Sequence, residues 1–195
     1  YDVLIGTGSK AGNYLVSFNS SNSAFTINKA TLVITPTSDQ SKNYGQSDPT
    51  FGYSVSGLVS NSRVNDTNPA SVISGALTRV SGEDIGTYAY SSAGLSAVNY
   101  NINLVESPSS FRVLPAPIGI VVSGSYSGTQ TISPSSFTVT GLAFGQTITS
   151  ISSAVLNSPN VSANDANFVT SVVGVTGTAL MSNYYITPTY NGTLN

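Results

Sequence analysis

The strongest constraint on this chain is that it repeats itself. Asn-Tyr followed by an alternating run occurs at Asn13-Tyr14, Asn99-Tyr100 and Asn183-Tyr184, spaced 86 and then 84 residues apart. The distances from Tyr14 to Phe25 and from Tyr100 to Phe111 are both eleven residues. A second landmark keeps the step: "FGYSVSGL" (Phe51 to Leu58) and "SFTVTGL" (Ser136 to Leu142) set Tyr53 84 residues before Phe137, and Gly57-Leu58 84 before Gly141-Leu142. A period of that length matches one small domain, so the chain reads as successive copies of a single unit.

The elements inside each copy read as strands. Tyr53 and Val55, Phe137 and Val139, Phe25 and Ile27, and Phe111 and Val113 alternate with small polar residues, the period of a half-buried strand. No amphipathic helix is expected; Ser153 to Val169 is the one ambiguous stretch, and Pro159 within it argues against a helix. At each junction the alternation changes phase. It runs Phe25, Ile27 and restarts at Ala30, Leu32, Ile34, then runs Phe111, Val113 and restarts at Ile118, Ile120, Val122. A shift of one residue turns the inward face over, as expected when the last strand of one unit continues directly into the first of the next. "INKAT" and "LPAPI" leave no room for a flexible linker.

The fold class expected is therefore all-β: tandem β-sandwich domains, Ig-like or β-grasp-like, joined strand-to-strand in an extended rod. Residues 1–29 would be the second half of a repeat, 30–115 a complete unit, and 116–195 a unit lacking its last strand. On this reading the chain is a window cut from a longer array, although a polymer whose ends complete one another by strand donation gives the same pattern.

Composition narrows the function. Six basic and eight acidic residues make up 7% of the chain, against about 25% charged in an ordinary soluble domain. With no basic cluster, nucleic acid is set aside as a partner. Weak mutual repulsion favours packing against other copies. No stretch approaches a membrane span, so no membrane insertion is expected within the segment. Histidine and cysteine are both absent, which removes the common nucleophile–base pairs and thiolate chemistry. Of the acids considered for catalysis, Glu83 and Asp84 are sequence neighbours, which on a strand would point to opposite faces. No enzyme activity, cofactor or metal is expected.

Residues 37–115 resemble the MBG repeats of giant bacterial surface proteins, named for a mucin- or glycan-binding association. The resemblance is carried by "KNYGQSDP" (Lys42 to Pro49), "FGYSVSGL", "GALTRVSGEDIGTY" (Gly75 to Tyr88) and Asn99-Tyr100. Residues 117–195 are similar to YDG repeats through "SGSYSGTQTISPSSFTVTGLAFGQTIT" (Ser123 to Thr149) and "MSNYYITPTYNGT" (Met181 to Thr193). The eponymous Tyr-Asp-Gly reads Tyr126-Ser127-Gly128, so no role of that Asp carries over. The resemblance implies tandem β domains of filamentous-haemagglutinin-like or other large secreted adhesins, displayed outside a bacterial cell.

Several motifs carry a chemical and a plainer reading. In "YGQSDP" a sugar could stack on Tyr44 and hydrogen-bond Asp48, with Tyr90 completing a shallow glycan site; alternatively Gly45 and Pro49 fix a turn and Tyr44 plugs the end of the unit. "GEDIG" (Gly82 to Gly86) is read as a turn, with Asp84 bonded to local backbone and Arg79 pairing Glu83. "NDTN" (Asn65 to Asn68) and "NDAN" (Asn164 to Asn167) each offer one carboxylate, which fits Asx turns better than a calcium loop. Lys42 or Lys29 could form an amide bond with an Asn beside a buried acid, though the sequence names no partner. Asn191-Gly192-Thr193 is a glycan-acceptor triplet only in a eukaryotic secretory route. The leading expectation is a stalk or fibre segment of an extracellular adhesin, associating with copies of itself or neighbouring repeats. The alternative is a module binding host or matrix glycans.

Overall fold

The computed structural model describes residues 27–105, 110–125, 127–160 and 167–189. Tyr14, Phe25, Tyr126, most of "NDAN" and the Asn191 triplet lie outside the described residues. Ten strands form in the first part: β1 (Ala30–Pro36), β2 (Ser41–Asn43), β3 (Tyr53–Ser56), β4 (Ile73–Gly75), β5 (Thr78–Arg79), β6 (Gly86–Tyr88), β7 (Tyr90–Ser91), β8 (Leu95–Ala97), β9 (Tyr100–Leu104) and β10 (Phe111–Leu114). Six follow: β11 (Ala116–Ser123), β12 (Thr131–Ile132), β13 (Ser136–Thr140), β14 (Ile148–Leu156), β15 (Val169–Gly177) and β16 (Tyr184–Thr187). Among the described residues no sheet mixes β1–β10 with β11–β16. The two sets are called the first and second units below.

The sequence repeat is also a repeat of topology. In the first unit β1 is the centre of β3-β1-β9, antiparallel to β3 and parallel to β9. In the second, β11 takes the same place in β13-β11-β16, with the same directions. Even the register recurs, because Ala30 pairs with Tyr100 and Ala116 with Tyr184. The two landmark tyrosines explain this. Tyr100 accepts the Val59 N–H at 3.0 Å and donates to Asp66 at 2.6 Å; Tyr184 accepts the Ala143 N–H at 3.0 Å and donates to Gln146 at 2.5 Å. Each hydroxyl thus captures the backbone just beyond a Gly-Leu pair, tying the start of the parallel strand to the end of the antiparallel one. The glycine is required at that crossing. Gly57 and Gly141 have φ of 89° and 88°, and a Cβ would lie 2.4 Å from the Thr31 carbonyl oxygen or 2.8 Å from that of Pro117.

The expected inward positions hold. Leu32 and Ile34 of β1, Phe111 and Val113 of β10, and Ile118, Ile120 and Val122 of β11 are buried. Phe111 packs edge-on to Phe51 at 5.0 Å, and burying such a side chain contributes about 2–3 kcal/mol. Between β10 and β11 stands only Pro115, and the buried positions step from Phe111 and Val113 to Ala116 and Ile118, the predicted change of phase. Pro115 has no N–H to donate and a fixed φ, so it stiffens the turnover.

One feature departs from the sequence reading. A single-turn helix, α1 (Pro69–Val72), follows Asn68, whose side chain accepts the Ala70 N–H at 3.1 Å. Asn followed by Pro is a cap and first-turn pair, and its shortness hid it from any periodicity. The ambiguous stretch from Ser153 forms no helix among its described residues, in agreement with the argument from Pro159: it is strand through Leu156, and strand resumes at Val169.

Candidate functional site

The motifs singled out in the sequence gather where β2 and the segment before β6 meet the second unit. Tyr44 follows β2 directly. Gly45, at φ 83°, turns the chain, and the Gln46 N–H closes the turn on the Asn43 carbonyl at 3.1 Å. The turn points the Tyr44 ring away from its own unit into the second one. It lies edge-on to Tyr184 and to Phe144, with centroids 5.3 Å away in both cases. Gln146 connects the hydroxyls: its amide donates to Tyr44 at 3.0 Å while its carbonyl accepts from Tyr184. In the first unit the Gln146 role falls to Asp66, whose carboxylate accepts but has no proton to pass on.

The opposing turn resembles it in sequence but not in backbone, with positive φ at both Phe144 and Gly145. Phe144-Gly145-Gln146-Thr147 matches Tyr44-Gly45-Gln46-Ser47 in type, and the Gln146 N–H bonds the Ala143 carbonyl at 2.9 Å. Phe144 itself has a φ of 54°, an unusual conformation for an aromatic residue that costs about 1–3 kcal/mol. Contact across the seam is close enough that a Cβ on Gly45 would sit 2.4 Å from that of Ala143. A second pair of bonds closes the seam beside it. Asn183, 1% exposed, donates to Asp84 at 2.7 Å and accepts the Ile85 N–H at 3.1 Å. Asp84 therefore bonds the second unit, not the local backbone expected from the sequence.

Behind this seam lies a four-residue ion network. Lys42 is 2.7 Å from Asp48 and 2.5 Å from Glu83; Arg79 holds Asp48 at 2.6 Å and Glu83 at 2.9 Å. The cation side chains are 4% exposed, whereas Asp48 is 33% and Glu83 48% exposed, so the carboxylates cap buried cations. Arg79 hydrogen bonds hold the Asp48 carboxyl below its ordinary range; burial opposes this, and Lys42 adds to it. For Lys42, burial works against the charge, but the bonds and charges of Asp48 and Glu83 outweigh it and raise its pKa. An amine held protonated has no lone pair, and the groups it contacts are the carboxylates of Asp48 and Glu83, not the side-chain amide of an Asn. The arrangement therefore favours a salt link over an amide bond. Lys29 is exposed.

Tyr90 is buried against Phe51 at 5.4 Å, and its hydroxyl accepts from Gln40. Burial raises its pKa and the Gln40 bond partly offsets this. The three candidates for sugar contact are thus in different settings: Tyr44 in the seam, Tyr90 in the core, and Asp48 on an open cleft of about 510 Å³ that Phe51, Thr78, Arg79 and Glu83 also line. Among the described residues no group of three or more His, Cys, Asp or Glu is placed to hold a metal. In "NDTN", Asp66 serves Tyr100 and Asn68 caps α1.

Residues 32–108 match the family model of the MBG domain, YGX type. Tyr44-Gly45-Gln46 is a Tyr-Gly-X triplet inside the matched segment. Comparison with curated proteins and with solved structures returned no match. The seam thus joins a turn of the matched segment to residues beyond it. Phe144 and Gln146 were not singled out from the sequence, and Asn183 only as a landmark of the repeat. The likeness of "FGQT" to "YGQS" was the signal that could have found Phe144 and Gln146.

Proposed function

We propose that this chain is a load-bearing stalk segment of an extracellular bacterial adhesin, with residues 30–115 as one unit and 116–195, YDG-like, as the next. The MBG match supports a surface-protein module. The observation that carries the mechanical reading is strand direction. Tension along a stalk enters the first unit through β1 and leaves through β10. β1 is bonded in parallel to β9 over five pairs, and β10 in parallel to β2 over three. Pulling opposite ends of parallel neighbours slides them past one another, so the bonds of a ladder are loaded together instead of being peeled in turn. In the second unit β11 and β16 repeat the arrangement. The Tyr44 and Asn183 contacts oppose bending at the junction. Surface serines and threonines supply the hydrogen-bonding exterior.

Single-molecule stretching between sites before Ala30 and after Thr189 tests this. A stalk segment opens at high force in discrete events. Low-force, gradual extension contradicts the proposal.

A second reading, glycan binding, is favoured by the open cleft at Asp48, whose lining includes the carboxylates of Asp48 and Glu83 and the Thr78 side chain, groups able to hydrogen-bond a neutral polyol. A glycan array separates the two. Saturable binding abolished by Ser81→Trp, which fills the cleft, supports the lectin reading; no binding leaves the stalk reading standing alone.

A further inference from the structure

The end of the second unit that meets the first has an uncovered counterpart on the first unit. Tyr184 and Tyr100 hold the same place in the two folds: each pairs with the alanine that opens the central strand, and each captures a backbone N–H just past a Gly-Leu pair. The asparagine before each tyrosine therefore stands at the same spot, beside the entry to that strand; the Asn99 carbonyl accepts the Ala30 N–H at 3.1 Å. The two asparagines differ in what faces them. Asn183 is 1% exposed, its amide bonded to Asp84 and Ile85 of the first unit. Asn99 is exposed, and among the described residues its side chain has no hydrogen-bond partner.

Two observations say what this end is built to meet. The first is apolar. Ile27 and Val98 precede the Ala30–Tyr100 pair on two parallel strands, so they lie at the same end of the unit, and they are 63% and 81% exposed. Ile27 stands 86 residues before Val113, the closing-strand residue that the first unit buries to 3%. A residue in that position is covered by the body of its own unit, so the exposed Ile27 points to a unit of the same type on the side from which the chain enters β1. The second observation is polar. Asp66 accepts from Tyr100 through Oδ2, as Gln146 accepts from Tyr184. Six residues separate Asp66 from Val59, whereas two separate Gln146 from Ala143, so the match is one of bonding and not of spacing. The other Asp66 oxygen can accept from an incoming tyrosine hydroxyl, where Gln146 instead donates to that of Tyr44.

We propose that the end of the first unit formed by Asp66, Val98, Asn99 and Tyr100 is a receiving face for a preceding unit of its own type, which docks on it as the first unit docks on the second. The Tyr-Gly-X turn of that unit meets Asp66, and its counterpart of Asp84 accepts from the Asn99 amide. The inference deepens the stalk reading and rests on it for the presence of a unit in line before Ala30.

Inserting a second copy of residues 30–115 after Pro115 tests this while keeping the whole chain, because the inserted unit offers its receiving face to the native first unit. The chain has no cysteine, so pairs of spin labels report distances by double electron–electron resonance. Ala93→Cys in the native and inserted copies spans the new junction, and Ala93→Cys in the inserted copy with Ser133→Cys spans the old one; both positions are exposed. The new junction is expected to give one distance distribution as narrow as the old. Asn99→Asp in the inserted copy sets a second carboxylate against Asp84 and should broaden the new distribution about twofold or more, leaving the old one narrow. In the chain without the insertion Asn99→Asp should leave the urea midpoint unchanged, which separates loss of docking from loss of folding. A broad new junction beside a narrow old one overturns the proposal alone, and the stalk reading is decided separately by stretching. A narrow new junction that Asn99→Asp does not alter overturns the assignment to this face, and broad distributions at both junctions overturn the fixed seam as well.

Discussion

The ring of Tyr44 meets that of Tyr184 edge-on, 5.3 Å between centroids and 84° between planes, and Gln146 bonds both hydroxyls. This is a core contact in kind, buried and hydrogen-bonded, made between residues of two different units. Removing the Tyr44 ring should cost about 3 kcal/mol, as for other large-to-small changes in cores, whereas Tyr44→Phe should cost about 1 kcal/mol for the lost hydroxyl. The loss should fall on the coupling between units. Urea unfolding that is a single transition in wild type is expected to split in Tyr44→Ala, read by probes in each unit.

Gly45 tests the closeness of the seam. Gly45→Ala meets two penalties, a left-handed φ and a Cβ 2.4 Å from that of Ala143. The first costs about 1–2 kcal/mol wherever it occurs. The second depends on Ala143. The double variant with Ala143→Gly should therefore recover the clash but not the conformational cost, so a double-mutant cycle measured by urea midpoints should show positive coupling.

How far this could be read from the sequence varies with the range of the interaction. Leu32, Ile34, Phe111 and Ile118 declared themselves by alternation, because a strand half in water writes its burial into every second residue. The repeat of Tyr100 and Tyr184 was equally plain, although not its cause, the capture of the Val59 and Ala143 N–H groups. α1 was missed because one turn has no period. Asp84 was assigned to local backbone because turn statistics concern neighbours in sequence, whereas its partner, Asn183, is 99 residues away. Arg79 was paired with Glu83, but the bonds to Asp48, across 31 residues, could not be seen from spacing.

The ion network fixes a pH dependence. Arg79 chiefly, against burial and with help from Lys42, lowers the folded-state pKa of Asp48. The unfolded chain therefore takes up that proton at a higher pH than the folded one. The stability involved is complete above about pH 4, the ordinary aspartate value, and is lost as pH falls through the depressed folded value. For Lys42 the sign reverses: its raised pKa gives stability present below about pH 10 and lost above the folded value. Asp48→Asn should lower the urea midpoint at pH 7 and flatten its decline below about pH 4. An unchanged acid limb would dissociate Asp48 from acid sensitivity.

The same charges bear on covalent chemistry at Lys42. With its amine protonated between Asp48 and Glu83, the intact mass of the purified chain should equal the sequence mass. A species lighter by one ammonia, for a bond to an Asn, or by one water, for a bond to Asp48 or Glu83, and absent in Lys42→Arg, would mean that an amide bond had formed.

The central claim is that the two units are held in one fixed relation by the seam at Tyr44, Gln146, Asp84 and Asn183. Residual dipolar couplings of backbone amides in residues 30–114 and 116–187 measure this directly. The account predicts that one alignment tensor fits both sets in wild type and that Tyr44→Ala separates them. Two tensors of different magnitude and orientation in the wild-type chain would contradict it.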